Sequence, residues 1–121
     1  MRDPELMRAL LEEMDNDSDG PGRLFLPPGT EENDDEARRY HHGELLADSG
    51  HAAWIWPESG ASPSFIRITN DGYDFLKAVQ NHMDGQERWT QMLGWLREGV
   101  AWVEAAKTVV QAVAEARRAT G

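Results

Sequence analysis

Phe65-Ile66-Arg67-Ile68-Thr69-Asn70-Asp71-Gly72-Tyr73-Asp74-Phe75-Leu76 is the stretch on which the fold turns. Ile66 and Ile68 alternate with Arg67, the period of a half-buried strand. The period then changes. Asn70 can cap a helix whose first turn carries Asp71 and Asp74, and Tyr73, Phe75, Leu76 and Val79 follow at helical spacing. Just upstream, 52–56 reads as a second strand, with Trp54 and Trp56 on one face and Ala53 and Ile55 on the other. Residues 57–63, built of Pro, Ser and Gly around Glu58, form the connection between them. A hairpin that delivers the chain into an amphipathic helix is expected to be the wing of a winged helix-turn-helix, an α+β fold that is mostly α.

The flanking sequence fits that frame. Asp3 can cap a helix over 4–14, Pro4 suits its first position, and Leu6, Met7, Leu10, Leu11 and Met14 make one apolar stripe. Residues 23–26 can be a short strand, stopped by Pro27-Pro28. A second helix is predicted over 34–48, ending at Ser49-Gly50, and a third over 71–83, closed by Asp84-Gly85. From 86 to 119 there is no proline, and Trp89, Leu96, Val103, Val110 and Arg117 recur every seven residues. Met92, Ala106 and Val113 fill much of the other seam position, and Trp95, Trp102 and Val109 broaden the face. Unbroken, this helix would be about 50 Å long. Either Gly94 and Gly99 divide it into two packed helices, or it projects and pairs with another copy. The expected organisation is a winged-helix domain over 1–85 and a helical extension over 86–121. The extension is expected to dimerise the chain through Trp89, Trp95, Leu96, Trp102, Val103 and Val110.

Composition sets the outer limits. With 121 residues and 40% hydrophobic side chains the chain can bury a small core. There is no cysteine, which excludes disulfides, thiolate zinc sites and cysteine nucleophiles. No run of 18 apolar residues and no charged-then-apolar leader occurs, so a cytoplasmic protein without membrane association is expected. Charge is divided unevenly. Residues 1–60 hold 15 acidic and 5 basic residues, whereas 61–121 hold 7 of each. A nucleic-acid binder displaces counterions with a basic face, and an acidic half opposes that effect. The plain reading of such acidity is solubility.

Candidate sites are few. Asp15-Asn16-Asp17-Ser18-Asp19-Gly20 matches the first half of a calcium loop, with carboxylates at positions one, three and five. The twelfth position, which should be glutamate, is Leu26, and Pro21 stands in the loop, so a solvated acidic turn is the expectation. His41, Glu44 and Asp48 share a helical face, but the adjacent His42 points elsewhere. Ser59, Ser62 and Ser64 have no histidine partner and no glycine-flanked elbow. No cofactor, metal or catalytic residue is therefore assigned, and the chain reads as non-enzymatic. For DNA, the second helix offers Arg38 and Arg39, beside Asp34, Asp35 and Glu36, and the base of the wing offers Arg67. The same arginines can instead pair with neighbouring carboxylates along their own helix.

These residues resemble an uncharacterised family, a domain of unknown function found in short phage, prophage and bacterial proteins. Arg2, Asp3, Leu6, Leu10 and Leu11 match its opening, and His42, Leu45, Leu46 and Gly50 match its histidine-containing helix, where Ser49 and His51 depart. Ile68, Thr69, Gly72, Asp74, Phe75, Leu76 and Ala78 match its most specific motif, followed by Trp89; the likeness covers about residues 2–92. It implies a winged-helix domain, with His42 packed between helix and wing and with DNA binding or regulation presumed. Two functions follow as expectations. The first is a phage-type regulator or inhibitor whose acidic residues Asp15, Asp17, Asp19, Glu31, Glu32, Asp34, Asp35 and Glu36 meet a basic protein partner, such as one that itself binds nucleic acid. The alternative is a dimeric DNA-binding transcription regulator using Arg38, Arg39 and Arg67.

Overall fold

The computed structural model describes residues 3–17, 20, 22–29, 32–81 and 83–120, apart from the side chains of 81, 83–85, 119 and 120. Among the described residues the elements run α1 (Pro4–Asp15), β1 (Arg23–Phe25), α2 (Asp34–Asp48), β2 (Ala52–Ile55), β3 (Phe65–Ile68), α3 (Asn70–Asn81), α4 (Met83–Arg97) and α5 (Trp102–Thr120). The fold is mostly helical with one small antiparallel sheet of order β1-β3-β2. It forms two compact units, Met1–Tyr73 and Asp74–Gly121.

In the first unit, α1 begins as its sequence requires. The Asp3 carboxylate accepts the backbone N–H groups of Glu5 at 3.1 Å and Leu6 at 3.2 Å, two donors that the first turn cannot satisfy internally. Met7, Leu10, Leu11 and Met14 are fully buried, each stabilising by about 1.5–3 kcal/mol before entropy is counted. Leu24 stands opposite Ile66, and Ile66 opposite Trp54, so these three share one sheet face. That face is covered: α1 packs on β1 and β3, α2 packs on β2, and the Tyr40 ring lies 4.9 Å from Trp54. The opposite face is open.

α2 stops where Ser49-Gly50 predicts. Gly50 has φ +83°, its N–H reaches the Ala47 carbonyl at 3.1 Å, and the His51 N–H reaches Leu46 at 3.0 Å, the doubly bonded left-handed stop. The next junction differs from expectation. Thr69, not Asn70, caps α3: its hydroxyl accepts the Gly72 N–H at 3.1 Å and donates to the Gly50 carbonyl at 2.7 Å. Thr69 thereby ties the end of α2 to the start of α3, which a sequence window cannot reveal.

His51 is buried at this junction. Burial lowers its pKa, against the opposing pull of the Asp71 carboxylate. The unfolded chain then takes up this proton at a higher pH than the folded one. Stability from this group is complete above the ordinary histidine value of about 6.5 and is lost as pH falls through the depressed folded value. Urea midpoints measured from pH 8 down to about pH 5 are expected to decline, and His51→Gln is expected to flatten the decline above the carboxylate range.

The second unit decides the question of one helix or two. α4 ends at Arg97, Gly99 takes φ +97°, the Val100 N–H bonds to Trp95 at 3.0 Å and the Gly99 N–H to Leu96 at 3.2 Å. α4 and α5 then pack on each other within one chain. Gly94 does not break α4, and Asp84 and Gly85 lie inside it rather than closing α3. The buried face of α5 is Trp102, Ala105, Ala106, Val109 and Val113. The seven-residue series does not continue as one seam: Val103 is exposed and Val110 half-buried, because the turn at Gly99 resets the helical phase. Trp102 meets Phe75 edge-on at 5.3 Å and Trp89 at 6.3 Å. Trp102, expected at an interface between chains, is therefore buried within one chain, whereas Trp89, Trp95 and Leu96 are half-buried.

Candidate functional site

The densest polar constellation is the seam between α1 and α2. His42 is buried, its Nε2 accepts the Asp3 backbone N–H at 2.8 Å, and its Nδ1 lies 2.8 Å from the Arg38 carbonyl. An amide can only donate and a carbonyl can only accept, so the ring carries its proton on Nδ1. Both ring nitrogens are consumed, and His42 packs at the start of α1 rather than against the wing. His41 is exposed beside it, as are Glu44 and Asp48. Among the described residues no three His, Asp or Glu side chains converge as a metal site.

Two of the three arginines assigned to DNA are part of the same seam. Arg38 pairs with the second carboxylate oxygen of Asp3. Arg39 forks onto Glu13, with both N–H···O distances at 3.0 Å. The Asp3 carboxyl is held below its ordinary pKa, chiefly by the Leu6 N–H and further by Arg38. Both arginines thus pair with carboxylates, across to α1 and not along their own helix. Arg67 is elsewhere, exposed on the open sheet face opposite Arg23 and Ala53. The three arginines do not form one surface.

The acidic residues also divide. Asp15 is half-buried at the end of α1. Asp17 closes the following turn, its carboxylate accepting the Arg23 N–H at 2.9 Å with the Arg23 guanidinium at 3.8 Å. Asp19 and Glu31 lie outside the described residues. Glu32, Asp34 and Asp35 are exposed around the start of α2, with Glu36 half-buried, and Asn33 caps the helix through the Glu36 N–H at 3.1 Å. There the carboxylates favour the helix dipole, and none of the four enters an ion pair among the described residues.

The open sheet face was not singled out from the sequence. Register brings Phe25, Phe65 and Ile55 into one row, 59%, 44% and 37% exposed, and Trp56 follows at 67%. Alternation alone could have placed Ile55 opposite Trp54, but only the strand order aligns it with two phenylalanines 40 residues apart in the chain.

No protein-family model, curated protein or solved structure matches the chain.

Proposed function

We propose that this chain is a non-enzymatic regulator or inhibitor of phage or prophage type that works by binding a basic protein. The reading is carried by one observation: Arg38 and Arg39 are neutralised by Asp3 and Glu13, while Glu32, Asp34 and Asp35 stand exposed without ion pairs among the described residues. The helix that would enter a DNA groove therefore presents negative charge at its start, which repels phosphate and attracts a basic protein surface. The strand order β1-β3-β2 behind α1-β1-α2, with a β2–β3 hairpin, supports a winged-helix architecture with α2 in the place of the recognition helix. Among the described residues only α2 lies between β1 and β2, so α1 and α2 would have to supply the helix-turn-helix pair.

Capture from bacterial lysate, with and without nuclease, tests the reading. A basic protein is expected to remain bound after nuclease. Its association with Glu32→Lys, Asp34→Lys, Asp35→Lys is expected to slow at least tenfold at low salt, in line with steering effects of about 10–1000-fold. Enrichment of one DNA segment, lost with nuclease and with Arg67→Ala, would favour the alternative of a DNA-binding transcription regulator.

A further inference from the structure

Among the described residues of the first unit, every arginine except Arg67 is held by an acid: Arg8 by Glu12, Arg23 by Asp17, Arg38 by Asp3 and Arg39 by Glu13. The last two pairs cross from α2 to α1, although α2 has acids of its own at the right spacing. Asp34 and Asp35 stand four residues before Arg38 and Arg39, about one helical turn away. Both are exposed, and neither enters an ion pair among the described residues. The helix thus keeps its own acids free and takes its counter-ions from another element.

Those counter-ions are held in place without the arginines. The Asp3 backbone N–H donates to the buried His42 Nε2 at 2.8 Å, and one carboxylate oxygen accepts the Glu5 and Leu6 N–H groups. The other oxygen is left for Arg38. Glu13 sits on a helix pinned by the buried Met7, Leu10, Leu11 and Met14, and offers both oxygens to Arg39 at 3.0 Å. Exposed ion pairs are weak when two long side chains must be ordered to make them. Here Asp3 is already ordered, and Arg39 engages as a fork, the geometry that holds best among exposed pairs. A guanidinium presents that same fork to a carboxylate and to a phosphate. The Arg38 and Arg39 side chains remain 53% and 34% exposed, so a phosphate arriving from solvent reaches either one and finds a carboxylate in its place.

We infer that Asp3 and Glu13 are specificity-determining residues: they occupy Arg38 and Arg39 as internal stand-ins for phosphate, keep α2 off nucleic acid and leave it to a protein partner. The inference rests on the reading of α2 as the contact helix and adds the residues that make the choice. The exposed acids at the start of α2 repel phosphate at a distance. Asp3 and Glu13 act differently, by filling the two positions at which a nucleic-acid backbone would be gripped.

Fluorescence anisotropy of a labelled DNA duplex of about 20 base pairs, titrated with the full chain at about 50 mM salt, tests the inference. Asp3→Asn with Glu13→Gln removes both charges at nearly constant volume, and asparagine caps a helix as well as aspartate does. This double variant is expected to bind the duplex at least about tenfold more tightly than the unaltered chain, with a log–log salt slope steeper by about two. Glu13→Gln alone, which leaves the cap untouched, is expected to give at least about a threefold gain. Adding Arg38→Ala and Arg39→Ala to the double variant is expected to abolish the gain. Glu58→Gln with Glu104→Gln is the charge control, because both acids are exposed and neither enters an ion pair among the described residues. It is expected to leave affinity within about threefold of the unaltered chain. No gain in the first variants, an equal gain in the charge control, or a gain that survives loss of both arginines would overturn the inference and leave the basic-protein reading standing. Tight binding of the duplex by the unaltered chain would overturn both.

Discussion

Replacing Trp102 with alanine is expected to cost the second unit about 3–5 kcal/mol, the range for deleting a large buried aromatic. The indole is almost completely buried and touches Phe75 and Trp89 edge-on, so its removal leaves a cavity bounded by two rings that cannot close it without leaving their rotamers. With small domains stable by about 5–15 kcal/mol, this is a large fraction of the total. The measurement is a urea midpoint followed by far-UV circular dichroism and tryptophan fluorescence. Val103→Ala, one residue away and exposed, is the control and is expected to change stability by less than about 0.5 kcal/mol. The pair also separates two roles for the tryptophan. Were Trp102 an interface between chains, its alanine variant would stay folded and become monomeric. A loss of folding stability at unchanged association places it in the core.

Gly72→Ala is expected to destabilise by about 3 kcal/mol, although alanine normally improves a helix by about 1 kcal/mol over glycine. A Cβ at position 72 would stand 2.0 Å from the His51 carbonyl oxygen and 3.0 Å from Ile68 Cγ1. The carbonyl cannot retreat freely, because it accepts the Thr69 N–H at 3.1 Å in the junction that Thr69 also caps. Steric conflict with backbone therefore outweighs helix propensity. Gly94→Ala, in α4, isolates the propensity: a Cβ there meets nothing within 4 Å. It is expected to stabilise by about 0.5–1 kcal/mol. Thermal unfolding of the two variants should move in opposite directions; movement in the same direction would refute the close-approach argument for Gly72.

Some of the candidate site was legible and some was not. The exposed acids at the start of α2 could be read directly, because charge beside a predicted helix start is a local property. The fate of Arg38 and Arg39 could not. Nearby carboxylates on α2 offered partners, yet the partners taken are 35 and 26 residues away, on α1. Choosing among many acids for each arginine requires knowing which helices lie side by side. The same holds for His42, whose Asp3 partner is 39 residues distant. The open sheet row escaped notice for a related reason: three strands each contribute one or two side chains, and no window of sequence contains them together.

By itself the sequence determined the helices of α1 and α2, the period-two strands, and the stop at Gly50. Each of these depends on dihedral preference, capping and periodicity within about a dozen neighbouring residues, and such interactions are present before any tertiary contact forms. Tertiary structure alone decided which face of the heptad pattern is buried, that Thr69 rather than Asn70 caps α3, and that two arginines are spent between helices. It also decided that the apolar row of the sheet faces outward. These outcomes depend on which distant groups come within bonding or packing distance, and in an unfolded chain no local preference distinguishes one acid, one cap or one apolar stripe from another.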